Sequence, residues 1–148
     1  MAHFALLDEN NMVIDVIVVG NENILDKDGN ESEAIGKAWC EKFWHRKTGD
    51  VGFDWKQTSY NTRGGKHYNI DGSLSDDQSK ALRWRYAGID CKYDPVRDVF
   101  LPPYRFNGWI LNNTTLDYEP PTPDPTNGTE AYYWSNEKED WVKEGYGN

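Results

Sequence analysis

The sequence predicts a mainly β, α+β protein: a small antiparallel sheet with one packed helix, then short β-hairpins and a proline-rich linker. Three observations predict it. A β-branched run, MVIDVIVV, follows a polar turn near the start. One stretch, residues 32–43, carries apolar side chains at helical spacing. Four segments place large apolar residues on either side of a polar turn.

The opening reads as a hairpin. Residues 4–7 form one strand, DENN at 8–11 the turn, and 12–19 the second strand. Asp and Asn suit the turn because their side chains bond nearby backbone and tolerate left-handed geometry. Val and Ile suit the strand because β-branched side chains pack well on a pleated surface. Residues 21–30 are polar and hold a sharp turn at DKDGN. A helix is expected over 32–43, capped by Asn30 or Ser32, with glutamates in its first turn against the helix dipole. Ile35, Trp39 and Phe43, with Ala38 beside them, form the stripe expected to meet the sheet. Gly36 weakens that helix. Residues 48–52 read as a turn and 51–60 as a strand, with Phe53, Trp55, Gln57 and Ser59 on one face. Residues 61–78, rich in Gly, Asn, Asp and Ser, read as a long excursion. Ser75 is expected to cap a short second helix over 76–84.

The four segments are FALLDENNMV (4–13), CKYDPVRDVF (91–100), WILNNTTLDY (109–118) and YYWSNEKEDW (132–141). Each begins and ends on an apolar or aromatic residue. The third position is also apolar: Leu6, Tyr93, Leu111 and Trp134. Each is expected to be a β-hairpin, too small to be stable alone and leaning on its neighbours. Pro102-Pro103 and Pro120-Pro121 end two of them, since proline cannot donate to a ladder. The organisation read from this is a main α+β domain over 1–104 with an excursion at 61–78, a hairpin at 105–121, a Pro-rich linker at 122–131, and a C-terminal hairpin and tail at 132–148. The linker is expected to hold the last hairpin away from the main body, so that the part before Glu119 folds without it.

The charge is −9, from 25 acidic and 16 basic residues. That opposes general nucleic-acid binding, which needs phosphate neutralisation. The basic stretch Lys80, Arg83, Arg85, Lys92 and Arg97 reads as an ion-pairing surface. No signal peptide is evident at the start, and MVIDVIVV is too short to cross a bilayer. Cys40 and Cys91 make no Cys-x-x-Cys pair, and whether they bond is open. Catalysis needs a nucleophile, base or metal cage, and His3, His45 and His67 form no such motif. Glu41 and His45 are two ligands at most. DKDGNESE departs from the calcium-loop spacing, and NTRGGKH departs from the phosphate-loop spacing. Neither a cofactor nor a metal is expected.

Seven Trp, nine Tyr and five Phe stand in a chain with a mean hydropathy of −0.88. Tyr and Trp join apolar area to a polar group, which suits interfaces. Trp109, Tyr118, Tyr132, Tyr133, Trp134 and Trp141 are the expected interaction residues. The pieces MAHFALLDENNMVIDVIVV, DKDGNESEAIGKAWCEKFW, WKQTSYNTRGGKHY and LRWRYAGIDCKYDPVRDVFLPP, with GWILNN, YYW and DW after them, resemble a family of small proteins of marine tailed phages, especially cyanophages. The chain departs from that family at Asp90-Cys91, where Gly-Tyr is common, and in added length around 72–81. The resemblance implies a non-enzymatic virion structural or tail-associated protein. Its partners would be other virion proteins and further copies of itself, in a capsid, neck, baseplate or fibre joint. The alternative is a glycan- or receptor-binding appendage using exposed aromatics.

Overall fold

The computed structural model describes residues 1–48 and 54–145, with the side chains of 1–44 and 54–145. Two compact units divide at Pro102/Pro103. The first is built on a three-stranded antiparallel sheet. Its central strand β1 (Ala2–Leu7) lies between β2 (Val13–Val19) and β3 (Asp54–Thr58). Asp8 closes the β1–β2 turn as the sequence predicts: its Oδ1 accepts from the amides of Asn10 and Met12 at 2.8 and 2.9 Å. Successive side chains of a strand face opposite ways. Ala2, Phe4 and Leu6 therefore enter one core, with Val19, Ile24 and Trp55. Ala5 and Leu7 enter a second, with Tyr93 and Phe100. Both faces of β1 are covered, which is why AHFALL reads as an almost unbroken apolar run.

The helix α1 (Glu33–Thr48) covers the first face. Ser32 caps it, its Oγ accepting from the Ile35 amide at 3.3 Å. The packed stripe is not the expected one. Ile35 and Phe43 are exposed, Ala38 is exposed, and Trp39 is half-buried. Among the helix residues whose side chains are described, Gly36 and Cys40 are the buried positions, one residue round the helix. The cause is close approach: a Cβ on Gly36 would collide with the Phe4 ring and stand 3.0 Å from Ile24 Cγ2. The residue that lowers helix propensity is the one that lets the helix sit on the sheet. Thr48 closes the helix, and the rest of the turn expected at 48–52 lies outside the described residues.

The excursion folds into small turns. β4 (Thr62–Arg63) and β5 (Lys66–His67) pair across Gly64-Gly65, and Tyr68 bridges Leu74. No α-helix forms over 76–84. Asp77, not Ser75, caps a single 3-10 turn, Gln78–Lys80. Arg83 and Trp84 then take φ of 54° and 74°, the left-handed region, which ends any helix. Backbone bonds hold them there: Phe100 N donates to Arg83 O at 3.0 Å and Gly65 N to Trp84 O at 2.9 Å.

Each of the four segments forms a hairpin. The first is β1–β2. The others are β6 (Lys92–Asp94) with β7 (Val99–Leu101), β8 (Ile110–Leu111) with β9 (Tyr118–Glu119), and β10 (Tyr132–Ser135) with β11 (Asp140–Lys143). In the last three, the third position faces the tenth: Tyr93↔Phe100, Leu111↔Tyr118 and Trp134↔Trp141. The eighth position is left-handed in all four: Asn11, Asp98, Leu116 and Glu139, with φ of 64°, 54°, 56° and 49°. At the fourth position of the last three, a polar side chain accepts from turn amides. Asp94 takes Val96 N at 2.9 Å, Asn112 takes Thr114 N at 2.8 Å, and Ser135 takes Lys138 N at 3.1 Å. The segments thus share a turn architecture as well as a residue pattern. β6–β7 lays Tyr93 and Phe100 on the second sheet face, and the other two hairpins belong to the second unit.

Candidate functional site

The second unit holds all six residues that the sequence singles out. Three tryptophans make its centre. Trp134 is the most buried, at 9% exposure, and meets Trp141 edge-on at 5.4 Å and Trp109 edge-on at 6.0 Å. Phe106 stacks on Trp109 at 4.4 Å. The indole N–H of Trp134 donates to Asn107 O and that of Trp141 to Thr122 O, each at 3.0 Å. The Trp109 indole nitrogen is buried without a partner among the described residues. Asn107 and Asn136 lock the two hairpins together: Asn107 N donates to Asn136 Oδ1 at 3.0 Å, and Asn107 Nδ2 to Asn136 O at 3.2 Å.

The Pro-rich segment does not part these hairpins. It lies along the last one, through Trp141 to Thr122, and through Tyr132 N to Thr126 Oγ1 at 3.1 Å. Lys143 pairs with Glu130 at 2.8 Å. That ammonium and the Tyr132 hydroxyl hold the Glu130 carboxyl below its ordinary value.

The six residues therefore divide. Trp109, Trp134 and Trp141 build the unit's own centre. Tyr118 is half-buried against Tyr104 at 4.9 Å, and Tyr132 is half-buried with its hydroxyl on Glu130. Only Tyr133 stands open, at 49%. Three other side chains join it at the surface: Ile110 at 61%, Tyr104 at 53% and Phe106 at 41%. Sequence reasoning missed these three. Ile110 was legible, because it is the second position of its hairpin, as Tyr133 is of the next. In both strands that position faces away from the third-position residue that packs inward. The unit carries eight acidic and three basic residues, so these apolar groups sit on an acidic surface.

The first unit presents a different site. A cleft of about 800 Å³ opens between the sheet end, the loop before α1 and the excursion. Asn21, Asn30, Gln57 and Asn61 line it, with Tyr60 and Lys80. Tyr60 is 66% exposed and leans on His3 and Tyr86, with ring centroids 6.1 and 5.2 Å away. Burial, then the positive charge at residue 1, lower the His3 titration.

Several other chemistry-bearing residues are engaged within the chain. Arg83 donates to both Glu33 oxygens at 2.7 and 3.0 Å, to Gln57 O at 2.8 Å and to Asp98 at 2.9 Å. Arg97 pairs with Asp94 at 2.7 Å. Two members of the basic stretch are therefore bound to carboxylates of the chain itself. Asp26 of the calcium-like loop accepts from the amides of Asp28 and Asn30, at 2.8 and 2.9 Å. Cys40 and Cys91 are free, buried, and in the two cores on opposite faces of the sheet. Burial pushes the Cys40 thiol up to about 12. The His45 side chain lies outside the described residues. Among the described residues, no group of three or more His, Cys, Asp or Glu is placed to hold a metal ion, and no helix is long and apolar enough to cross a membrane. No protein-family model, curated protein or solved structure matches the chain.

Proposed function

We propose that this chain is a non-enzymatic structural subunit of a tailed-phage virion, and that its second unit makes the contacts that assemble it with other virion proteins and further copies of itself. One observation carries the reading. The two hairpins of that unit expose a large apolar side chain at the same position of their shared pattern, Ile110 and Tyr133, each facing away from its hairpin's third-position pair, Leu111–Tyr118 and Trp134–Trp141. A rigid fold that repeats an outward apolar residue suits a protein partner, since aromatic and aliphatic anchors ringed by polar groups dominate such contacts. The resemblance to the marine phage proteins supports the virion setting, and the net charge of −9 opposes a role along nucleic acid.

The tryptophans favour protein contact over the glycan-binding alternative. Trp109, Trp134 and Trp141 meet at interplanar angles of 82°, 51° and 84°, so they offer no coplanar platform for a sugar. The test is a cryo-EM map of the purified virion with this chain identified by side-chain density. The expected result is Ile110 and Tyr133 buried against a neighbouring subunit in the capsid, neck, baseplate or fibre joint. Absence of the chain from the particle would overturn the reading. A distal position with both residues open would transfer the weight to receptor binding.

A further inference from the structure

We infer that the cleft of the first unit is a binding site for a neutral polyhydroxyl ligand, a single saccharide ring. This inference is independent of the assembly reading, because it concerns the other unit. Four primary amides, Asn21, Asn30, Gln57 and Asn61, line one concavity. Among the described residues, none of these four side chains has a hydrogen-bond partner, although their backbones are engaged in turns and strands. Five other amide side chains, those of Asn69, Asn107, Asn112, Asn127 and Asn136, bond within the chain. Four amide side chains left open in this way therefore converge on one cleft.

Their chemistry specifies the ligand. A carboxamide presents a donor and an acceptor side by side, and a hydroxyl does both as well, so each amide can take a hydroxyl of either orientation. Tyr60, two-thirds exposed, lines the same cleft and is buttressed by His3 and Tyr86. A ring held that way offers an apolar face to the C–H side of a sugar at little entropic cost. Glu31 and Asp77 line the cleft with opposite charge to Lys80. That balance disfavours a phosphate or another strongly charged group, for which several cations would converge. The volume of about 800 Å³ exceeds that of one hexose and lies in the ordinary range for small-ligand sites.

The test uses the full-length, isotope-labelled protein titrated with glucose, galactose and N-acetylglucosamine, with Gly-Gly in parallel, and followed by amide NMR. At least one sugar should give saturable shifts at the side-chain amides of Asn21, Asn30, Gln57 and Asn61. Tyr60→Ala and Asn61→Leu should each weaken that binding roughly tenfold while leaving the melting midpoint in place. No saturable shift with any of the three sugars would overturn the inference. So would saturable shifts confined to the Trp signals of the second unit, or binding untouched in both variants. Equal shifts with Gly-Gly would overturn the ligand class.

Discussion

Arg83 joins three parts of the first unit that no regular element connects. Its side chain, 12% exposed, binds the helix through Glu33, the edge strand β3 through Gln57 O, and the β6–β7 hairpin through Asp98. Burial alone would lower its titration, but Glu33 and Asp98 outweigh burial and raise it. For Asp98, burial raises the carboxyl, yet the Tyr93 hydroxyl and the Arg83 guanidinium prevail and hold it below its usual 3.8. Asp54 is likewise held low: Lys37 and the Trp55 amide outweigh burial. A carboxyl whose folded value lies below its unfolded one stabilises the fold above the unfolded value, and that contribution is lost as pH falls through the folded value. The protein should therefore lose stability below roughly pH 4, measured by urea melts across pH. Asp98 is 61% exposed, so solvent screening limits its share. Arg83→Gln should cost about 2 kcal/mol at neutral pH and flatten the acid limb, because it removes charge-assisted bonds at a largely buried site. An unchanged acid limb would assign the pH response to other carboxylates.

Gly36 makes the same point with the opposite expectation from helix propensity. Gly36→Ala in a free helix should gain up to about 1 kcal/mol. Here the added methyl meets the Phe4 ring, which is fully buried and flanked by Ile24. Gly36→Ala should instead destabilise by about 1–3 kcal/mol, read from the shift in melting midpoint. A raised midpoint would mean the helix can move away from β1 at no cost. The sequence marked Gly36 as a weakness because spacing describes one helix at a time. Which side of a helix is packed depends on how near the partner comes.

At the scale of elements, the hairpins and their polar turns were legible, and the backbone geometry of the turns was not. Period-two apolar pairs around polar residues are enough to identify a hairpin. The left-handed eighth position was hidden, because Leu116 and Glu139 are not residues that favour it. In both hairpins the left-handed residue stands where the turn meets the returning strand. The two differ in what they offer for engineering. Leu116 is buried at 5%, so its side chain repays its backbone. Glu139 is exposed, with φ of 49°. Glu139→Gly should stabilise the second unit by up to about 1 kcal/mol, and Glu139→Val should destabilise it by about as much, in thermal melts followed at the Trp fluorescence. Equal melts for the two variants would show that backbone strain at this position carries no energetic weight. The second helix expected at 76–84 is missing for a related reason. Ser75 and its followers look like a helix start, but the fold needs an irregular strap there to carry Arg83 into its three contacts.

For the whole molecule, the division at Pro102/Pro103 decides where the chain can be cut. Removing everything from Glu119 onward would strip Trp134 and Trp141 from Trp109 and leave half a unit behind. A fragment of residues 1–102 keeps both cores of the sheet intact. It should melt cooperatively in circular dichroism, with a midpoint independent of the second unit. A gradual, non-cooperative loss of signal would mean that the first unit needs the second.

The sequence by itself determined the class of fold, the four hairpin sites and the helix that begins after Ser32, and it also suggested a second helix that does not form. Those follow from local chemistry: β-branched and aromatic side chains at strand period, Asp and Asn at turns, and a Ser at a helix start. It also pointed to aromatic residues of the last two hairpins, without saying which way they face. Only the tertiary structure decided that three of the tryptophans are the second unit's own core, that Ile110 and Tyr133 stand outside it, and that Arg83 is a tie and not a surface cation. It alone brought four amides from three separate stretches of chain to one cleft. The reason is common to all of these. Facing, burial and convergence are relations between residues distant in the chain, set by how closely packed elements approach one another, and no local pattern records that distance.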